Sequence, residues 1–435
     1  MTGDVSDDDG PKLDPSKPLG QLPPQPWMEA PETRKVVAAL TAEGAEVRFV
    51  GGCVRDAVLK RPIKDIDIAT HDPPERVMAL LDKAGIHVIP TGIAHGTVTA
   101  VIGKEHFEIT TLREDVETFG RHARVAFTDD WAADAARRDF TMNTLFADPK
   151  GRIYDPFNGL QDMGAGRVRF VGDPMKRIGE DVLRLLRFFR FHAHYGRPPM
   201  DRQALSACRR MAPKLVNLSG ERVSGEIIRL LQAPDPASVL LVMRNEHVLR
   251  HVLPEGTAFG RLRVLCWLES RAMVRPSVRP DPIRRLGALV ETDHDGAVAV
   301  GERLKLSNHQ TARLVAIAAP KLVPAADMDD RAVRRALHKV GADTFRDLVL
   351  VAWAGNRSLE SRVDAAESDA WQRLLDAADT WTPVDMPIKG RDLMSMGLPH
   401  GPRIGKLLAE LEAWWEANDY RPGREEMLQR ARAAL

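Results

Sequence analysis

Between Val36 and Asp155 the apolar positions switch repeatedly between two periods. "ETRKVVAALTAEG" and "PPERVMALLDKAG" carry apolar residues three and four apart, as a helix with one buried face does. "EVRFVGG", "IKDIDIAT", "HVIPTG", "TVTAVIG" and "HFEITTL" are short β-branched runs of the kind that form strands. The alternation predicts a small α+β domain. Gly44 and Gly85 stand where the two helices need a left-handed C-terminal cap, and Pro73-Pro74 suits a helix start. After "IYDPFNGLQD" the strand signals nearly vanish, and 3.6-residue patterns such as "EDVLRLLRFFRFHAHYG" and "ERVSGEIIRLLQ" run almost to Leu435. That remainder is expected to be helical, broken at "QAPDPAS", "VRPSVRPDP" and "WTPVDMPIKG", with no repeat of fixed period.

A chain of 435 residues exceeds what one hydrophobic core usually supports, so two to four domains or a long helical extension are expected. Its 44% apolar and 28% charged residues are those of an ordinary soluble protein. No apolar run is long enough to cross a bilayer and no signal peptide stands out, so a cytoplasmic location is the default expectation. Cys53, Cys208 and Cys266 lie too far apart for a zinc site and are expected to be reduced packing residues. The net charge of +1 averages segments of opposite sign. Residues 1–26 are acidic and proline-rich, the composition of a disordered tail. Residues 176–230 hold twelve Lys or Arg against five Asp or Glu, an excess of seven positive charges. An anionic partner could sit there; a solvated helix face would use the same residues.

The densest chemistry lies in "GGCVRDAVLKRPIKDIDIAT", residues 51–70. Side chains two apart on a strand share a face, so Asp65 and Asp67 are expected side by side, where a divalent cation such as Mg²⁺ bound with substrate phosphates would relieve their repulsion. A solvated strand end can show the same spacing. In "HFEITTL", Phe107 and Ile109 alternate with Glu108 and Thr110, which puts Glu108 on the polar face as a candidate third carboxylate. Three carboxylates around two metals suit in-line phosphoryl transfer. Gly51 and Gly52, between a strand and a helix, allow backbone N–H groups to approach a triphosphate, although a tight turn without a ligand needs glycines too. Arg55 can bond phosphate oxygens, and Asp56 is expected to orient it.

These residues resemble the nucleotidyltransferases of the class II CCA-adding enzyme and bacterial poly(A) polymerase type. "GGCVRD…KDIDIAT" is similar to the family's first motif, with Cys53 at a common alanine position, and "ARRDFTMNTLF" to its second, with Thr144 at another. "YDPFNGLQD" resembles the hinge between head and neck, "EDVLRLLRFFRF" the nucleotide-selecting helix and "GERVSGEIIRLL" the next neck motif. "ERLKLSN" and "PIKGRDLMSMGLPHGPRIGKLLAELEAWW" resemble the body and tail, so the likeness covers nearly everything after Glu29. It implies a polymerase-β-like head at residues 27–160, a neck at 161–232, a body at 233–385 and an RNA-binding tail at 386–435. It further implies that Asp65 and Asp67 bind Mg²⁺, that Glu108 is the third catalytic carboxylate, and that Arg138 and Asp139 meet the nucleotide's phosphate and ribose. A surface ion pair at a helix end would use the last two residues as well, and would be preferred only without the flanking motifs.

Glu180, Asp181, Arg184 and Arg187 are spaced to share a broad face of one helix. Cytosine and adenine both present an amine beside a ring-nitrogen acceptor, so Asp181 accepting and Arg184 donating could select CTP and ATP without a template; the resemblance implies the same roles and puts Arg187 near the nucleotide as well. A salt-bridged helix would show the same spacing. The acceptor is expected to be an RNA 3′ end, with Lys389, Arg391, Arg403 and Lys406 candidates for phosphate contacts. Trp414 and Trp415 could stack on bases, although one at least is expected in the core. "IPTGIAHGTVTAVI" resembles the tRNA-specific enzymes rather than the poly(A) polymerases, and "REDVETFGRHARVAFTDDW" the flexible loop of enzymes that add the final adenine. The resemblance thus favours CCA addition to tRNA from CTP and ATP; poly(A) addition, CC-only addition and a catalytically silent RNA-binding protein are the alternatives. His95 and His122 are expected in loops or packing, and neither a phosphatase site, a membrane contact nor a protein partner is expected.

Overall fold

The computed structural model describes residues 14, 16–119, 122–272, 275–359 and 365–434. The fold is α+β, and the chain divides into two compact units: Met1–Ala233 with Val242–Val252, and Pro234–Leu241 with Leu253–Leu435.

The first unit is built on a sheet of eight strands: β1 (Gly20–Gln21), β2 (Val47–Val50), β3 (Ile66–Thr70), β4 (His87–Gly92), β5 (Thr97–Ile102), β6 (Glu105–Thr111), β9 (Phe146–Ala147) and β10 (Arg152–Tyr154). They run in the order β1-β10-β9-β2-β3-β6-β5-β4, with β7 (Arg113–Phe119) and β8 (His122–Phe127) forming a separate antiparallel ribbon. Every pairing in the large sheet is antiparallel except β3 with β6. That parallel pair is central, and on β3 Ile68, Ala69 and Thr70 are buried. The helices α1 (Pro26–Glu29), α2 (Pro31–Thr41), α3 (Gly52–Val58) and α4 (Pro74–Lys83) fall among these strands. α4 buries Val77, Leu80 and Leu81, and Gly85 follows it at φ +65°, the left-handed geometry the sequence anticipates; Gly44 does the same after α2 at φ +91°.

All five expected strands form. Four features differ from expectation. Residues 16–26, read as part of a tail, are ordered: Leu19 and Leu22 donate backbone hydrogen bonds to Ile153 and Gly151, β1 pairs with β10, and Leu22 is buried. The segment closes the sheet edge left by β10, so the head begins near Gly20. Within the segment expected as a flexible loop at 113–131, Arg113–Phe119 and His122–Phe127 pair as a ribbon, and α5 (Trp131–Ala136) follows, capped by Asp130, which accepts from the Ala132 amide. Strands β9 and β10, too short for any periodicity to reveal, flank a turn at Pro149-Lys150-Gly151. The fourth difference, a broken neck helix, concerns the site and is described below.

Beyond Tyr154 the described residues form no further named strand. In the first unit, α6 (Gly159–Ala165), α7 (Pro174–Glu180), α8 (Leu183–Tyr195), α9 (Arg202–Met211) and α10 (Gly220–Leu231) follow the sheet. Phe140, before the sheet's last strands, packs at 4.9 Å between ring centroids against both Phe170 and Phe191, and Phe170 stacks on Phe188 at 5.7 Å. This aromatic cluster fixes α8 against the strand domain.

The second unit is helical. One core gathers Leu265, Phe345, Trp353, Trp371 and their neighbours; another, from Ile388 to Ala431, includes Leu407, Leu411 and Trp415. A buried ionic network, Glu269 with Arg284 and Arg285 and Asp347 with Arg284 and Arg313, crosses the first of these cores. Cys53, Cys208 and Cys266 are all free and buried, and burial pushes the Cys53 and Cys266 thiols up to about 12, so they are inert packing residues as the sequence suggested. Among the described residues no helix is long and apolar enough to cross a membrane.

Candidate active site

The parallel register of β3 and β6 sets Asp67 directly opposite Glu108. Partners in register project to the same face, so the two carboxylates are held together by the sheet itself. Asp65 is not on the strand as the spacing implied: β3 begins at Ile66, and Asp65 stands exposed one residue before it. Its charge nevertheless acts on Asp67. Burial, Glu108 and Asp65 raise the Asp67 carboxyl to about 6 against the opposing pull of Arg138. Among the described residues no three acidic, His or Cys side chains converge tightly enough to enclose a metal by themselves. The donors are nonetheless hard oxygens whose mutual repulsion a divalent cation relieves, and in that sense Asp65, Asp67 and Glu108 fit one.

Beside this pair, and coupled to it through Arg138, lies a cleft of about 480 Å³ lined by six arginines: Arg55, Arg137, Arg138, Arg184, Arg187 and Arg222. Asp139, Asn143, Asp181, Leu183, Phe191 and the Gly51-Gly52 turn complete it. Gly51 has φ +71°, a backbone conformation that favours glycine, and a Cβ there would crowd Arg138 Nη1 at 3.1 Å. Arg55 is aimed by two contacts: its Nε and Nη2 donate to Asp56 at 3.0 and 2.7 Å, and Nη1 donates to Asn143 Oδ1 at 2.7 Å. Asp56 thus orients the arginine, as expected. Asp139 is buried and fully engaged, accepting from the Phe140 amide and Asn143 at 2.9 Å each and from Arg187 Nε at 2.7 Å. Burial opposes its ionisation, but Arg187, Asn143 and Phe140 outweigh it and hold the carboxyl below its ordinary value. Asp139 therefore fixes Arg187 in the cleft wall.

The expected single helix carrying Glu180, Asp181, Arg184 and Arg187 is two helices. α7 ends at Glu180, Asp181 is extended at φ −149° and ψ 109°, and α8 begins at Leu183. Asp181 itself bridges the break, its Oδ1 accepting from the Leu183 amide two residues on at 3.1 Å, as in an Asx turn. Asp181 and Arg184 take separate partners: Asp181 Oδ2 accepts from Arg222 Nη2 at 2.7 Å, while Arg184 Nη1 donates to Glu180 and, at 3.0 Å, to the Arg177 carbonyl. Arg177 also bonds Glu180, at 2.5 Å.

Of the residues singled out in the sequence, Gly51, Gly52, Arg55, Arg138, Asp139, Asp181, Arg184 and Arg187 line one cleft, and Glu180 holds one of its walls. Arg137, Asn143 and Arg222 were missed, although "ARRDFTMNTLF" and "GERVSGEIIRLL" contain them; nothing in spacing says that residue 222 meets residue 181. Lys389, Arg391, Arg403 and Lys406 are exposed, Trp415 is buried as expected of one tryptophan, and Trp414 packs partly beside it. His95 is exposed at the end of a single 3₁₀ turn, Ile93–His95; the His122 side chain falls outside the described residues.

Residues 47–169 match the poly(A) polymerase head domain, and residues 199–259 match the probable RNA and SrmB-binding site of polymerase A. The mitochondrial CCA tRNA nucleotidyltransferase 1 of Danio rerio is 33% identical over 88% of this chain and 86% of its own length. Its human counterpart is 32% identical over 89% and 86%. The crystal structure of the Bacillus stearothermophilus CCA-adding enzyme in complex with CTP superposes with a TM-score of 0.70, covering 93% of this chain and 99% of that one at 26% identity. With its metal-compatible carboxylates, its arginine cleft and this extent of likeness, the chain belongs to the CCA tRNA nucleotidyltransferase family.

Proposed function

We propose that this chain adds or repairs the 3′-terminal CCA of tRNA, using CTP and ATP without a nucleic-acid template and releasing pyrophosphate at each step. The arginine-lined cleft beside Asp67 and Glu108 carries this proposal, because six guanidinium groups next to a carboxylate pair suit a triphosphate attached to a base that must be read.

In this scheme residues 27–160, with the β1 edge strand, are the catalytic head, 161–232 the selecting neck, 233–385 the body and 386–435 the tail. Asp65 and Asp67 hold Mg²⁺, with Glu108 as the third carboxylate. When bound, Mg²⁺ makes the RNA 3′ hydroxyl a better nucleophile and offsets charge on the departing pyrophosphate. Arg55 and Arg138 take triphosphate oxygens, and the Gly51-Gly52 turn leaves room for the phosphates. Asp139 keeps Arg187 directed at the nucleotide. Asp181 accepts from the exocyclic amine shared by cytosine and adenine, and Arg184 donates to the ring nitrogen beside it. Uracil and guanine present the opposite pattern and would leave buried polar groups unpaired, at roughly 1–3 kcal/mol each. Lys389, Arg391, Arg403 and Lys406 meet tRNA phosphates in this proposal, which their exposure supports. The three buried, disulfide-free cysteines suit a reducing compartment, the cytoplasm in this proposal.

One cleft reading one shared edge implies that CTP and ATP compete. Displacement of labelled CTP from the Mg²⁺-loaded protein should need similar concentrations of CTP and ATP and at least about tenfold more UTP or GTP. Simultaneous binding of CTP and ATP would contradict the single cleft.

A further inference from the structure

Asp181 stands in the break between α7 and α8, so helical periodicity does not set the direction of its carboxylate. Two contacts do: the Leu183 amide on Oδ1, which is local, and Arg222 Nη2 on Oδ2 at 2.7 Å, which reaches across from α10. α10 is itself registered against α8, since Glu226, one turn beyond Arg222, accepts from Arg190 Nε at 2.5 Å and the Arg229 carbonyl meets His194 Nε2 at 2.8 Å. Arg184, the other proposed reader, is held apart by Glu180 and the Arg177 carbonyl.

We propose that Arg222 is a positioning residue for base selection: by holding one Asp181 oxygen it keeps that carboxylate from pairing with Arg184, and so keeps both readers open to the base. This inference rests on the assignment of Asp181 as a base reader. Its physical ground is competition. Asp181 and Arg184 are three residues apart, and Arg184 and Arg187 line the same cleft, so a carboxylate released from Arg222 has cationic neighbours on which to fall. A self-paired Asp181–Arg184 couple would present no free acceptor to an amine and would weigh cytosine and uracil nearly alike. Arg222 also leaves the second oxygen of Asp181, shared only with the Leu183 amide, as the acceptor facing the base, which matches the single donor that cytosine and adenine offer at that edge.

The test is single-nucleotide extension by the full-length protein of tRNA lacking its terminal CCA, with CTP or UTP supplied alone, comparing wild type with Arg222→Gln, Arg222→Lys and Asp181→Ala. Arg222→Gln is expected to raise KM for CTP more than it lowers kcat and to cut the CTP-over-UTP preference about tenfold. Arg222→Lys, which keeps the charge without the fork, is expected to cut it about threefold. Thermal unfolding midpoints close to wild type would exclude a merely structural loss. Wild-type preference in Arg222→Gln, alongside lost preference in Asp181→Ala, would overturn the positioning role while leaving Asp181 a reader. Wild-type preference in Asp181→Ala would overturn the reader assignment, and the role of Arg222 with it. Should Arg222→Gln not fold, Arg222→Lys decides alone, wild-type preference in that variant overturning the proposal.

Discussion

Asp67→Ala is expected to lower the rate of nucleotide transfer at least about a thousandfold while leaving tRNA binding and folding intact. The expectation follows from register. Asp67 and Glu108 are paired across the parallel strands, and no other described carboxylate acts on Asp67 except Asp65. Asp65→Ala should behave alike, and retained turnover in either variant would refute the metal assignment. A pH signature separates this cause from damage to the fold. With the Asp67 carboxyl raised to about 6, a proton competes with the cation below that pH. Apparent Mg²⁺ affinity should therefore rise with pH, by up to about tenfold per unit below 6, and flatten above it. Stability runs the other way. A carboxyl whose folded pKa exceeds its unfolded one stabilises the fold while protonated, and that contribution is lost as pH rises from about 4 through 6. Asp67→Asn, which cannot ionise, is thus expected to stabilise the metal-free protein at pH 8 by about 1–2 kcal/mol while abolishing transfer; calorimetry and a transfer assay on the same sample check both.

Arg184→Ala is expected to reduce kcat/KM for CTP and for ATP together, each by about 10- to 100-fold, the worth of a charge-assisted hydrogen bond in a dry site. Because one guanidinium is assigned to the ring nitrogen of both bases, the two losses should agree within about threefold. Glu180 keeps its bond to Arg177 in the variant, so the end of α7 should persist. Steady-state kinetics with each nucleotide settles the matter, and a loss confined to CTP or to ATP would contradict the shared edge.

The residues that make bonds were more legible in the sequence than the elements that aim them. Asp67 and Glu108 could be found because a strand's period of two shows in "IDIAT" and "FEITT", and the sheet then sets those strands side by side. The five strands of the head were legible as short β-branched runs. The break at Asp181 was not legible. The apolar stripe of "EDVLRLLRFFRF" continues the 3.6 period up to it, and the bond from the Leu183 amide to the Asp181 side chain is a local choice that periodicity does not record. Arg222 was hidden for a different reason, since its partner lies 41 residues earlier and only the packing of α10 on α8 joins them. β1, β9 and β10, at two or three residues each, carry too few positions for any pattern, and they exist because neighbouring strands complete them.

The most direct measurement is extension of tRNA lacking its 3′ terminus by the purified protein with Mg²⁺, CTP and ATP, resolved to single nucleotides. The account predicts the addition of C, C and A and then arrest. A long ladder of adenosines, arrest after two cytidines, or no extension would each contradict it.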